Sequence, residues 1–155
     1  MGDGVKQRLK QRSFSSPYQE ALLSVLVCAD FLTRQWEDAC LVHGITGAQY
    51  NVLRILRGTH PEGHSRAEII SRMIHAAPDV TRLIDRLVKS GYVRRGRSKH
   101  DGRLSLTYIT QKGLDLITAM QPHIDVLETE IKKHLNEKEA GTLTQLCEKI
   151  LESGV

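Results

Sequence analysis

Positive charge is concentrated in one stretch of this 155-residue chain. Positions 82 to 103 contain eight Lys and Arg residues and two Asp residues, a net charge of +6, whereas the whole chain carries +4. A cluster of cations of this density is typical of a surface that binds a polyanion. A solvated charged face would have the same composition, so the choice between the two depends on the elements that carry these residues.

The basic stretch begins in the second of two short predicted helices and continues into a hairpin. Ser65 begins the first helix with a capping pattern, and Pro78 is predicted in the first turn of the second. The apolar spacing then changes from helical to alternating, which predicts strands at 92–95 and 104–109 joined by a charged loop. Two short helices followed by a basic hairpin is the order of a winged helix-turn-helix.

Longer helices are predicted on both sides of this unit. Apolar residues recur at helical spacing from Pro17 to Gly44, a length of about 40 Å, and again after Thr110, which is predicted to cap the next helix. A broad apolar stripe on a long helix usually packs against another chain or another long helix. Residues 1–16 alternate basic and polar types, which predicts a flexible basic arm.

Taken together, these segments resemble the MarR family of bacterial regulators over nearly the whole chain, from about Pro17 to Ile150. Five motifs in family order carry the resemblance: GITGAQY at 44–50, VTRLIDRL at 80–87, GYVRR at 91–95, DGR at 101–103 and ITQKG at 109–113. The resemblance implies a mainly α fold with a small β-hairpin wing. It also implies a homodimer on double-stranded DNA, with pseudo-palindromic half-sites about 34 Å apart.

The implied organisation is a flexible arm at 1–16, dimerisation helices at 17–44 and 110–155, and a winged helix-turn-helix at 45–109, within one structural domain. The implied function is that of a sequence-specific transcriptional regulator in the cytoplasm. We expect a repressor that a small-molecule effector releases from DNA. An effector-insensitive DNA-binding protein, or a dimeric protein-interaction module with a basic face, are the alternatives.

The predicted DNA contacts lie on the second short helix and the hairpin. In a helix-turn-helix the second helix enters the major groove, and a basic wing can insert an arginine into the minor groove. The residues are Asp79, Thr81, Arg82, Arg86, Lys89, Arg95, Arg97, Lys99 and Arg103. Ordinary helix-surface charges are the alternative interpretation.

The resemblance assigns roles to some of these residues. Thr81 and Arg82 match the recognition-helix pair, Arg103 matches the wing-tip arginine, and Asp101 matches the acid that orients this arginine. Asp101 could instead simply cap the turn. The family often has a second arginine where this chain has Gly102, so one wing cation is missing.

An effector pocket is implied between the dimerisation helices and the winged region. Trp36, His43 and Tyr50 are the candidate lining residues, because rings with an apolar body and a polar edge suit a small aromatic acid. Trp36 also fits the apolar stripe of its helix, so a core position is the alternative for that residue.

Other chemistries lack the residues they need. Cys28, Cys40 and Cys147 are widely spaced, which favours reduced, buried thiols over a disulfide framework or a redox switch. His60 and His64 lie in a loop, without the spacing of a helical zinc motif. No phosphate-cradling glycine loop, nucleophile elbow, transmembrane stretch or secretory signal is present, so we expect no enzyme activity, cofactor or metal.

Overall fold

A computed structural model describes residues 4–99 and 101–152 of the chain. The chain is mainly α-helical with one two-stranded antiparallel sheet, which confirms the predicted fold class. The elements are α1 Gly4–Leu9, α2 Pro17–Leu41, α3 Gly47–Thr59, α4 Arg66–Ser71, α5 Val80–Lys89, β1 Val93–Arg97, β2 Ser105–Ile109, α6 Gln111–His134 and α7 Glu137–Glu152. They form two compact units that divide after Gly47. Every helix within the described ranges is too short or too polar to span a bilayer.

The long helix α2 dominates the first unit. It begins at Pro17, where the Ser16 hydroxyl accepts a hydrogen bond from the Gln19 backbone N–H at 3.2 Å. Its end is followed by Gly44, whose φ of +72° is a conformation that glycine adopts at low cost. Most of its apolar side chains are exposed in the single chain: Tyr18, Leu22, Val25, Leu26, Phe31 and Leu32. The stripe that the sequence predicts therefore forms, and it is largely uncovered.

The N-terminal arm contains a helix that the sequence analysis did not predict. Gly4–Leu9 is α-helical, and an Arg8 Nη2 to Asp30 Oδ2 ion pair of 2.9 Å connects it to α2. Asp30 also pairs with Arg34 one turn further along. The prediction of an unstructured arm is wrong for Gly4–Leu9, because its partner lies 22 positions away and leaves no local signal. Residues 1–3 of that arm lie outside the described residues.

The second unit contains the main core. Its fully buried side chains come from α3, α4, α5, β1 and α6: Val52, Leu53, Leu56, Ile69, Leu87, Val93, Ile117 and Met120. Ile70 and Ile74 are exposed although both are apolar. Ile70 lies within α4, whereas Ile74 lies beyond it, because α4 ends at Ser71 after six residues. The core thus fixes the two short helices and the base of the hairpin.

The hairpin forms in the predicted place. Its register runs from Val93 opposite Ile109 to Arg97 opposite Ser105. An additional bridge joins β2 to the segment before α4: His64 and Thr107 exchange backbone hydrogen bonds of 3.0 and 2.8 Å. No local sequence pattern predicted this bridge, which attaches the hairpin to the beginning of the helix-turn-helix.

The first turn of α6 is hydrogen-bonded to residues 90–92, which follow α5. The Thr110 hydroxyl donates to the Gly91 carbonyl at 2.7 Å, and the Thr110 N–H donates to the Tyr92 carbonyl at 3.0 Å. Lys112 Nζ donates to the Ser90 carbonyl at 2.8 Å. The Lys112 bond satisfies the carbonyl of Ser90, the C-cap of α5, and the Thr110 bonds reach the two residues that follow it, so α6 is connected to the end of α5.

The last helix, α7, begins with a capping box. The Asn136 side chain accepts from the Glu139 backbone N–H at 3.0 Å, and the Glu139 carboxylate accepts from the Asn136 N–H at 2.9 Å. Several of its apolar side chains are exposed in the single chain: Leu143, Leu146, Ile150 and Leu151. This end of the chain therefore carries an uncovered apolar surface.

Candidate nucleic-acid interface

The helix α5 has one buried and one polar face. Val80, Ile84 and Leu87 are buried against the core, while the polar side chains on the opposite face are exposed: Thr81, Arg82, Asp85, Arg86 and Lys89. The helix is only ten residues long, a length that presents its first two turns to a groove while the core holds the other face. All its predicted contact residues are therefore accessible.

Asp79 caps α5 and pairs with an arginine of its first turn. Asp79 Oδ1 accepts a hydrogen bond from the Arg82 backbone N–H at 3.0 Å, and Asp79 Oδ2 lies 3.1 Å from Arg82 Nε. The helix thus begins after Asp79, not at Pro78 as the sequence analysis predicted. Arg82 is 81% exposed, so the pairing orients its guanidinium without burying it. Both carboxylate oxygens of Asp79 contact the protein itself, which favours a capping role over the predicted DNA contact.

Arg66 is a cation near this helix that the sequence analysis missed. It is the first residue of α4, after the N-cap Ser65, and its Nη1 donates to Thr81 Oγ1 at 3.4 Å. This distance is long for a hydrogen bond, so most of the donor capacity of the guanidinium stays open to solvent. The sequence signal was an arginine next to a cap, which is too common to single out without the contact to Thr81.

The hairpin is held beside α5 by an ion pair. Arg95 on β1 lies 2.5 Å from Asp85 on α5, measured from Nη2 to Oδ1, with both side chains about half exposed. Arg94, the preceding residue, places its guanidinium 4.2 Å from the centre of the Tyr108 ring. The pair brings the wing cations next to those of α5, and it neutralises part of the charge of Arg95.

Arg97, a predicted DNA contact, and Asp101, predicted to orient Arg103, both form hydrogen bonds within the wing loop. Arg97 Nη1 donates to the Gly102 and Arg103 carbonyls, each at 3.3 Å. Asp101 Oδ1 accepts from the backbone N–H of Arg103 at 3.0 Å. The Asp101 carboxylate therefore bonds to the main chain of Arg103. It does not hold the Arg103 guanidinium, which was its predicted role.

Four of the predicted cations have no ion-pair or hydrogen-bond partner for their side chains within residues 4–99 and 101–152. They are Arg86 and Lys89 on α5, and Lys99 and Arg103 in the wing loop. All four are exposed. An exposed cation without a carboxylate partner is available to neutralise a phosphate, so these residues form the open part of the basic surface.

A groove of about 310 Å³ separates the wing from the beginning of α4. It is lined by Glu62, Gly63, His64, Ser65, Glu68, Ser98, Lys99, Leu104 and Leu106. Burial, and secondly the charge of Arg72, lower the pKa of His64, while the weaker effect of Glu68 raises it. The described residues contain no cluster of three or more histidine, cysteine or acidic side chains suited to a metal ion.

Comparison with known proteins identifies the family. A family model described as MarR family matches residues 43–104. The transcription factor MarR from Planctomyces limnophilus is 34% identical, with a TM-score of 0.66 over 88% of this chain and 98% of that chain. The chain belongs to the MarR family.

Two further relatives cover different shares of this MarR-family chain. The regulator TtmR from Methylorubrum extorquens is 35% identical over 102 residues, and the match spans 64% of this chain but only 51% of TtmR. A mutant of E. coli MarR, solved in complex with operator DNA, is 26% identical with a TM-score of 0.73 over 88% of this chain and 99% of that chain. TtmR is named as an HTH-type transcriptional regulator, and the E. coli protein was solved on operator DNA. These relatives support a DNA-binding regulator as the function of this chain.

The predicted effector residues are divided between the two units of the MarR fold. Trp36 and His43 belong to the first unit and are partly buried, whereas Tyr50 belongs to the second and is 2% exposed. A shared effector pocket stays a prediction. The prediction of buried cysteines is confirmed for Cys40, which is fully buried, and wrong for Cys28, which is exposed; Cys147 is only partly buried. Burial, together with the negative charge of Glu37, raises the pKa of the Cys40 thiol to about 11.

Proposed function

We propose that this chain is a sequence-specific repressor that binds double-stranded DNA through α5 and the wing. The observation that supports it best is a set of exposed cations that have no partner among the described residues: Arg86, Lys89, Lys99 and Arg103. They lie on two elements that the Asp85–Arg95 pair holds side by side. A surface made only for solubility would have no need to hold its two cationic elements together.

In this proposal the first turn of α5 reads bases in the major groove. Thr81 and Arg82 lie in that turn, and an arginine that donates two hydrogen bonds to guanine is the commonest specific contact. The contact from Asp79 to Arg82 limits the directions that this guanidinium takes before DNA arrives. Arg86, Lys89 and Lys99 neutralise phosphates, with Arg66 as a further phosphate contact beside Thr81, and Arg103 enters the minor groove.

A homodimer is part of the same proposal. Large apolar side chains are exposed along both α2 and α7, and contiguous exposed apolar surface usually marks an interaction site. A second copy of the chain would cover them and would present two recognition helices to successive major grooves. The operator would then be pseudo-palindromic, with half-sites about 34 Å apart.

Release by an effector completes the proposal. An aromatic acid that contacts Trp36, His43 or Tyr50 would change the distance between the two recognition helices, so that both no longer fit adjacent grooves. A coupling free energy of about 1–3 kcal/mol, or about 5–150-fold in affinity, would be enough. Equal half-site distances in the DNA-bound and effector-bound proteins would exclude this mechanism.

Fluorescence anisotropy tests the DNA-binding function. The probes are the intergenic DNA upstream of the protein's own gene and a scrambled duplex of the same composition, each titrated over a series of salt concentrations. The variants are Arg103→Ala and, as a control with the same loss of charge, Lys138→Ala on α7. We expect selective binding that weakens with salt, and a loss of affinity in the wing variant but not in the control.

The outcomes separate the alternatives. Equal affinity for both duplexes would favour a DNA-binding protein without sequence preference. No binding even at low salt would contradict a DNA-binding function and favour a module whose basic face meets an acidic protein. Selective binding that no aromatic acid weakens would support the DNA-binding regulator and would contradict release by an aromatic effector.

A further inference from the structure

Asn51 is a polar side chain inside the core of the second unit. It lies on α3 and is 4% exposed. Its Oδ1 accepts a hydrogen bond from the backbone N–H of Ile74 at 2.8 Å, whereas its Nδ2 has no hydrogen-bond partner within the described residues. Burying an amide with its donors unused costs free energy. Core stability by itself therefore does not account for an asparagine at this position.

The bonded partner of Asn51 lies in the connection between the two helices of the helix-turn-helix. Residues 72–79 join α4 to α5 and contain no regular helix or strand. At the start of this connection the N–H groups of Arg72 and Met73 bond back to α4, and at its end Asp79 caps α5. Between these ends, the N–H of Ile74 bonds to α3. The Ile74 side chain is 58% exposed, so the connection is held here by a hydrogen bond more than by apolar packing.

We propose that Asn51 is a positioning residue that sets the placement of the recognition helix α5 for base reading. This inference rests on the proposed DNA-binding function. The bond from Asn51 fixes Ile74 relative to α3, which is anchored by the fully buried Leu53 and Leu56. The cap of α5 follows only five positions after Ile74, so a fixed Ile74 restricts where the first turn of α5 can lie.

Base reading and phosphate binding depend differently on this placement. Hydrogen bonds to base edges require donor and acceptor to lie within a few tenths of an ångström and within a narrow range of angles. Attraction between cations and phosphates falls off slowly with distance and carries no sequence information. A looser connection at Ile74 should therefore reduce the preference for the operator much more than it reduces binding to DNA in general.

The test compares Asn51→Leu with Asn51→Asp. Leucine has the same number and branching of side-chain heavy atoms and makes no hydrogen bond, whereas aspartate keeps an acceptor for the Ile74 N–H. For each folded variant, hydrogen exchange measures protection of the Ile74 amide, and anisotropy measures affinity for the upstream DNA and for the scrambled duplex. In Asn51→Leu we expect faster exchange and an affinity ratio about tenfold lower, comparable to one lost base contact. Affinity for the scrambled duplex should stay within about twofold, and Asn51→Asp should recover most of the ratio.

A second variant removes the same bond from its exposed end. Ile74→Pro has no N–H to donate and leaves the core side chains in place, so it should lower the ratio in the same way. An unchanged ratio in Asn51→Leu and Ile74→Pro, with a wild-type protein that prefers its operator, would overturn this inference alone. Unchanged protection of Ile74 in Asn51→Leu would overturn it too. A wild-type protein without DNA binding or without preference would overturn the proposed function, and the inference with it.

Discussion

Gly113 lies where the first turn of α6 packs closely against Tyr92, just after α5. It is buried in the first turn of α6, where its N–H donates to the Thr110 hydroxyl at 3.2 Å. A Cβ atom at this position would lie 2.3 Å from the Tyr92 carbonyl oxygen and 2.8 Å from Ile109 Cγ1. Because unstrained carbon–oxygen contacts are about 3.3 Å or longer, Gly113→Ala has to move one of the two backbones by about 1 Å.

The free-energy cost of this substitution depends on the hydrogen bonds that the displaced Tyr92 carbonyl accepts. The Tyr92 carbonyl accepts a hydrogen bond from the Thr110 N–H at 3.0 Å, and it shares the single hydroxyl proton of Thr110, whose oxygen is also 3.0 Å away, with the Gly91 carbonyl. Weakening two bonds costs about 1–3 kcal/mol in total, and overpacking against Ile109 costs about 1–3 kcal/mol more. The better helix propensity of alanine returns about 1 kcal/mol. We therefore expect Gly113→Ala to lower the free energy of unfolding by about 3 kcal/mol.

Thermal unfolding followed by circular dichroism measures this effect. For a chain of this size the loss corresponds to a melting temperature lower by about 6–12 °C. Gly58→Ala is the matched control, since Gly58 lies near the end of α3 and a Cβ there would meet no atom within 4 Å. It should leave stability unchanged or raise it by up to about 1 kcal/mol. A Gly113→Ala protein whose melting temperature equals or exceeds that of the wild type would contradict the predicted clash with the Tyr92 carbonyl.

Three further predictions follow from single side chains. The pKa of His64 is lowered in the folded state, so its contribution to stability is present above about pH 6.5 and is lost as the pH falls. The melting temperature should therefore decrease on acidification. In His64→Gln the decrease in melting temperature should be smaller than in the wild type. A thiol reagent at about pH 7.5 should modify the buried Cys40, whose pKa is about 11, only on unfolding; a Cys40 that reacts as fast in the native as in the urea-unfolded protein in a mass-spectrometric time course would contradict this. Gly102→Arg has open space around its Cβ and restores a wing cation, so it should raise DNA affinity and steepen the salt slope by about 0.9; an unchanged slope would mean that the wing tip makes no phosphate contact.

The elements of the winged unit could be predicted because their signals are local. Thr110 and Ser65 cap helices where the sequence places them, with bonds to the backbone N–H groups three residues later. The change from helical to alternating spacing likewise located the hairpin. Capping and periodicity act within a few residues, so a single sequence contains all the information they need.

One missed feature is local: the start of α5 was assigned to Pro78 because proline suits a first turn, but Asp79 caps the helix by accepting from the Arg82 N–H three residues later. The other features that the sequence did not predict depend on distant partners. The bond from Asn51 to Ile74 spans 23 positions, and the bridge between His64 and Thr107 spans more. Which cations of the site are paired, such as Arg95 with Asp85, also depends on the folded arrangement and cannot be counted from composition.

The fastening of α6 to residues 90–92 has a mechanical consequence. The helix α6 has 24 residues and is about 36 Å long, and its first turn is hydrogen-bonded to the carbonyls of Ser90 and Gly91, which follow α5. A sideways force near the far end of α6 would act on these bonds with a long lever arm. We expect the bonds to resist bending, so that a small tilt of α6 would also change the orientation of α5.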